Sequence, residues 1–140
     1  MNRNYLIATH GELAKGFQSS LDILAGKGND FTVINAYMTD EDYTPVVVDF
    51  IQQVSPDEQG IVFTDLFGGS VNQKVVTEVL TAECDNIFIL SNVNLAIILS
   101  ILFLPEETPL TQEIIQNAIN ESQVTLVQTT QDNTDEEDIF

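Results

Sequence analysis

Four times along this chain a short, largely apolar run gives way to a segment whose apolar residues recur every three or four positions. The runs are Tyr5–Ala8, Phe31–Tyr37, Ile61–Thr64 and Asn86–Leu90, and they lack the strict polar alternation of a strand with one wet face. Strands buried on both faces read this way, and they occur almost only in parallel sheets sandwiched between helices. Repeated strand–helix alternation therefore predicts an α/β domain with a parallel sheet covered on both sides. At 140 residues the chain is expected to form one domain.

The helical segments have recognisable starts and stops. Thr9 and Glu12 have capping-box spacing ahead of Ala14, Phe17, Leu21 and Leu24, and Gly26-Lys27-Gly28 ends that helix. Thr44-Pro45 predicts a cap with proline in the first turn, leading to Val46, Val47, Phe50, Ile51 and Val54. Ser70 and Gln73 repeat the capping-box spacing before Val71, Val75, Val79 and Leu80, with the helix ending near Thr81. A very apolar helix is expected over Val93–Leu104, stopped by Pro105, and another from Thr108-Pro109 through Ile114, Ile115, Ala118 and Ile119. Val124–Val127 reads as a short last strand. From Gln128 the chain turns polar and acidic, so residues 1–128 are expected to be the folded domain and 129–140 a flexible acidic tail.

Composition excludes several functions. The net charge is −18, and Arg3, Lys15, Lys27 and Lys74 are the only basic side chains, too few to hold a nucleic-acid backbone or an anionic membrane. Such a charge suits a basic protein partner, and it serves solubility equally well. Cys84 stands alone, so neither an internal disulfide nor a cysteine-rich zinc site is expected. The apolar stretch from Leu95 to Leu104 is about half the roughly 20 residues that a membrane span needs. With no secretory signal at the start, a cytoplasmic location is expected.

The chemistry-bearing residues cluster at two strand ends. His10, the sole histidine, follows the first strand, and Asp65 follows the third. Ligands of open α/β sheets bind beyond the carboxyl ends of the strands, where the strand order reverses. If strands one and three are neighbours there, the two residues face each other. Histidine can carry a covalent intermediate, and a carboxylate on one ring nitrogen fixes the tautomer and leaves the other free to attack. The bland alternatives are a structural histidine and a loop aspartate closing an Asx-turn. The Gly68-Gly69-Ser70 turn adds a tight bend, a hydroxyl and the amides of a helix start, features able to hold phosphoryl oxygens. Neither dinucleotide-binding nor Walker-type glycine motifs are present, and one histidine with no cysteine cluster speaks against a catalytic zinc site, so no cofactor or metal is expected.

Three motifs taken together carry a family resemblance. Ala8-Thr9-His10-Gly11 with Ala14 and Gly16, then Phe63-Thr64-Asp65-Leu66-Phe67-Gly68-Gly69-Ser70, then Ser91-Asn92-Val93-Asn94-Leu95, resemble the IIA component of the mannose-type phosphoenolpyruvate-dependent sugar phosphotransferase system. The resemblance spans about residues 4–128. It implies that His10 accepts a phosphoryl group from the phosphocarrier HPr and passes it to a IIB component, which serves the membrane IIC and IID proteins. It implies that Asp65 pairs with His10 and that Gly68, Gly69 and Ser70 cradle the phosphoryl group. It further implies an open four-stranded parallel sheet and a fifth, antiparallel strand exchanged within a homodimer. That strand would be Val124–Val127, and the helix at Val93–Leu104 would belong to either the interface or the core.

The chain departs from the family where proline often follows the Gly-Gly-Ser turn: Val71 stands there. The family's frequent continuation into a IIB domain is replaced by the acidic tail, so IIB is expected as a separate protein. A related reading is the phosphocarrier subunit of phosphoenolpyruvate-dependent dihydroxyacetone kinases; Gly11, where that branch tends to have serine, favours sugar transport. A non-catalytic regulatory domain of the same fold is the remaining alternative, and intact His10 and Asp65 speak against it.

Overall fold

The computed structural model describes residues 1–130. Its sheet comprises β1 (Arg3–His10), β2 (Phe31–Ala36), β3 (Gln59–Thr64) and β4 (Ile87–Leu90). Around it lie α1 (Leu13–Ala25), α2 (Thr44–Gln53), α3 (Ser70–Thr81), α4 (Leu95–Leu102) and α5 (Gln112–Asn120), with a 3-10 turn at Gly28–Asp30. The strand order is β2-β1-β3-β4 and every pairing is parallel. The chain thus leaves β1 in one direction to build β2 and crosses back to build β3. The order reverses between β1 and β3, whose carboxyl ends are in register at Ala8 and Thr64.

Strand periodicity distributes the core between two faces. Tyr5 and Ile7 of β1 join Phe31, Ile61, Phe63 and Leu90 on the face covered by α1, α4 and α5. Leu6 and Ala8 join Ile34, Ala36 and Val62 on the face covered by α2 and α3, through Val47, Phe50, Ile51, Val71, Val75 and Val79. Tyr5 stacks on Phe31 and Phe63 with ring centroids 4.9 and 6.5 Å away. The uniform apolarity of the strands is explained by this double coverage.

Several helix starts differ from expectation. Thr9 is still in β1, and the strand-like bonding continues through Gly11, whose amide donates to Ala36 O at 2.8 Å. Helix α1 therefore begins only at Leu13, and the Thr9 hydroxyl reaches forward to accept the Ala14 amide at 2.8 Å instead of closing a capping box. Gly69, not Ser70, is the N-cap of α3, and Gln73 donates to Gly68 O at 2.6 Å. Tyr43 precedes α2, so Thr44 is its first residue. Helix α4 is shorter than Val93–Leu104 because Asn94 caps it, accepting from the Ile97 amide. Helix α5 starts after Thr111 instead of Thr108-Pro109. Both backbone polar groups of buried Leu110 are taken by the Gln59 side-chain amide, at 2.8 and 2.9 Å, and that pins the chain outside the helix.

Helix α4 is core within one copy of the chain: Ile97, Ile98 and Ile101 are buried. The segment expected as a fifth strand, Val124–Val127, forms no strand within a single copy, and Val124 and Leu126 are 92% and 97% exposed. Of the expected acidic tail, residues 131–140 lie outside the described residues. No helix among the described residues is long and apolar enough to cross a membrane.

Candidate functional site

Alternation along β1 points Thr9 toward α1 and brings His10, one residue on, to the α3 side of the same sheet edge. There the expected pairing is present. His10 Nδ1 lies 2.7 Å from Asp65 Oδ2, and the same oxygen accepts the His10 backbone amide at 2.8 Å. Asp65 Oδ1 meanwhile accepts the Leu66 amide at 2.9 Å. Asp65 thus meets His10 without closing the Asx-turn: Oδ1 takes the amide one residue on, and the Phe67 amide, two residues on, donates to Asn92 Oδ1 instead.

The pair is asymmetric in exposure: the His10 side chain is 42% exposed and that of Asp65 9%. Burial works to raise the Asp65 pKa, but hydrogen bonds from the His10 amide and ring, with the ring's charge, outweigh it and hold the carboxyl below its ordinary value. An ionised Asp65 accepts only, so a neutral His10 ring donates through Nδ1 and keeps its lone pair on Nε2. Nε2 faces the Ser70 hydroxyl at 3.2 Å.

The Gly68-Gly69 turn makes this approach possible. Gly68 has φ +77°, in the left-handed region. A Cβ on Gly69 would meet Leu66 Cβ and O at 3.2 Å and stand 3.8 Å from His10 Cε1. The Gly69 amide itself is engaged with Leu66 O at 3.0 Å, and the Phe67 amide with Asn92 Oδ1 at 2.8 Å. The amides of Ser70, Val71 and Asn72 precede the first bond of α3, from Gln73 N to Gly69 O, and so form the donor end of that helix.

Three contributors were not singled out in the sequence. Tyr37, just past β2, has φ 68° and turns back over the sheet edge; its hydroxyl donates to Ser70 Oγ at 2.8 Å. Its ring centroid is 5.3 Å from that of His10, and Tyr43 meets it edge-on at 5.8 Å. Hydrogen bonds with Ser70 and then Tyr43 lower the Tyr37 pKa, while burial foremost, and the bond with Tyr37, raise that of Tyr43. Asn72 sits on the buried face of α3, where its Oδ1 accepts the Ser91 hydroxyl and lies 3.1 Å from Thr64 Oγ1. Asn92, with φ 56°, holds the Phe67 amide. Asn92 lies in the third resembling motif, and Asn72 left a signal of its own: an amide at a position that helical periodicity assigns to the core, beside Val71 and three residues before Val75.

The site opens to solvent. A cleft of about 250 Å³ runs along Leu90–Asn94 and Ser122–Val124, and another of about 210 Å³ along Val33–Tyr37 and Glu41–Tyr43; His10 lines neither. Leu66 and Phe67 beside it are 58% and 78% exposed. An open histidine bordered by apolar side chains is better suited to contact by a protein than to enclosure of a small molecule.

Known proteins resemble the chain in sequence and fold. A family model described as the fructose IIA component of the phosphotransferase system matches residues 4–119. Among solved structures, a protein assigned as a phosphoenolpyruvate-dependent sugar phosphotransferase system permease from Klebsiella pneumoniae is 30% identical, with a TM-score of 0.73 over 86% of this chain and 85% of that one. A phosphotransferase system IIA protein associated with the fucose utilization operon of Streptococcus pneumoniae is 26% identical, with a TM-score of 0.66 over 86% and 91%. The mannose/sorbose-specific IIA subunit from Enterococcus faecalis, at 19% identity, shares the fold, with a TM-score of 0.70 over 94% and 98%. No curated protein sequence matched. Because the family model takes in most of the chain, and a structural relative at 30% identity is covered over most of its length, the chain belongs to the fructose IIA family of the phosphotransferase system.

Proposed function

We propose that this chain is the phosphoryl relay of a sugar-uptake phosphotransferase system, taking a phosphoryl group from HPr onto His10 and delivering it to a IIB component. The observation that supports this most directly is the orientation of His10: Nδ1 at 2.7 Å from Asp65 and Nε2 turned outward to Ser70. In the forward step the Nε2 lone pair forms the new N–P bond as the donor's bond to phosphorus breaks. The ring becomes cationic, and the Asp65 carboxylate on Nδ1–H stabilises that charge. The turn at Gly68, Gly69 and Ser70 cradles the phosphoryl oxygens: Gly69 leaves room beside Cε1, and the Ser70 hydroxyl and first-turn amides of α3 donate. Delivery to IIB reverses the same bonds.

The exposed Leu66 and Phe67 beside His10 fit alternate docking of HPr and IIB, as a relay between two proteins requires. The system acts in the cytoplasm, with IIB passing the group on to sugar at the membrane IIC and IID proteins. The exposed Val124 and Leu126 fit a homodimer in which Val124–Val127 pairs with the partner copy. The sugar-uptake branch is favoured over dihydroxyacetone phosphorylation by Gly11 and by the sugar systems to which the solved relatives belong.

Incubation with phosphoenolpyruvate, the general phosphotransferase enzyme and HPr should load one acid-labile, base-stable phosphoryl group per chain. His10→Ala should load none, and undiminished labelling of that variant would remove His10 from the relay.

A further inference from the structure

We propose that Tyr37 is a positioning residue for phosphoryl transfer, acting through Ser70: its phenol commits the Ser70 proton to His10 Nε2 in the resting site and to a phosphoryl oxygen in the loaded one. The inference rests on the relay function proposed above. It follows from counting donors and acceptors along one chain of contacts. A serine hydroxyl has one proton to give and lone pairs to receive. Tyr37 donates to Ser70 Oγ at 2.8 Å, so the Ser70 proton must point elsewhere, and the acceptor in reach is Nε2 at 3.2 Å. Beyond it, Nδ1–H donates to the Asp65 carboxylate. The polarity is then uniform, from Tyr37 through Ser70 and His10 to Asp65, and each member uses the donor it has.

Ser70 alone lacks this definition. Its side chain is exposed, and its hydroxyl could equally turn to water. The phenol removes that freedom, and the phenol is itself held. Tyr43 packs edge-on against the Tyr37 ring, and Tyr37 adopts a left-handed backbone, rare for a bulky residue, which aims its side chain back at the site. The ring also lies close to the imidazole, with centroids 5.3 Å apart and planes tilted by 36°. When a phosphoryl group bonds to Nε2, the Ser70 O–H turns from the spent lone pair to a phosphoryl oxygen while still accepting from Tyr37. No proton changes owner; only the acceptor changes.

Three variants separate this from a structural role: Tyr37→Phe, Ser70→Ala and the double variant. Single-turnover transfer from phosphorylated HPr should slow about three- to tenfold in Tyr37→Phe, the size expected for one hydrogen bond. The double variant should be no slower than Ser70→Ala alone, since a phenol without its serine has nothing to position. Multiplying effects, or an unaltered rate in Tyr37→Phe, would overturn the proposal. Nitrogen NMR of the unphosphorylated His10 ring provides a readout independent of transfer. Tyr37→Phe should shift the Nε2 resonance in the direction that Ser70→Ala does, and less far; an unmoved Nε2 signal also overturns it. A parent protein that takes no phosphoryl group would refute the relay function, and the NMR comparison would still decide the role of Tyr37.

Discussion

Asp65 Oδ2 receives two hydrogen bonds from one residue, His10, through its backbone amide at 2.8 Å and its ring Nδ1 at 2.7 Å. The carboxylate thereby fixes both where the end of β1 lies and how the imidazole on it is turned. Asp65→Asn retains the shape but loses the charge that steadies a cationic ring, and its carboxamide N–H must face the His10 or the Leu66 amide, each itself a donor. Transfer from phosphorylated HPr should fall about ten- to a hundredfold, the size expected for losing a hydrogen bond to a charged group. Stopped-flow or quench measurements on the variant test this, and parent-like rates would leave Asp65 with a purely structural role.

The same pair gives stability a particular pH dependence. The folded-state pKa of Asp65 is depressed, so its contribution is fully present above the unfolded carboxyl value, near 3.9, and is lost as pH falls through the folded value. The high negative charge acts oppositely, because acid relieves self-repulsion, so the informative quantity is a difference. The stability gap between parent and Asp65→Asn should be level above about pH 5 and shrink below about pH 4. Urea titrations across that range measure it, and a gap that widens on acidification would contradict the depressed pKa.

Asn72 ties the ends of β3 and β4 to the first turn of α3 through Thr64 and Ser91. Replacing it by leucine keeps the bulk but takes the shared acceptor from two hydroxyls. The expected cost is about 1–3 kcal/mol in urea unfolding. A neutral result would mean that water or Leu90 O satisfies the two hydroxyls equally well.

Two glycines of the resembling motifs should behave oppositely on substitution by alanine. Gly68→Ala places a side chain at φ +77° and should cost about 1–2 kcal/mol. Gly16 is exposed within α1 with nothing within 4 Å of a built Cβ, so Gly16→Ala should stabilise by about 0.5–1 kcal/mol. Denaturation midpoints of the two variants compared with the parent decide the matter. Equal signs would show that helix propensity and turn strain have been wrongly apportioned.

Much of this protein was determined by the sequence alone. Uniformly apolar strands alternating with helical periods require a doubly covered parallel sheet, because backbone groups must pair and both faces must leave water. That pattern also placed His10 and Asp65 at carboxyl ends, since a strand end is a local property of the chain. Helix starts were misread wherever a distant partner overrode the local signal: β2 drew Gly11 into strand-like bonding, and the Gln59 side chain held Leu110 out of α5. Only the tertiary structure decided that β1 and β3 are neighbours, that Ser70 faces Nε2 instead of capping its own helix, and that Tyr37 reaches across from β2 to join them. Those contacts span 33 to 60 residues of chain, and side chains so far apart leave no periodic trace in the sequence; they meet only because the strand order brings their loops to one edge.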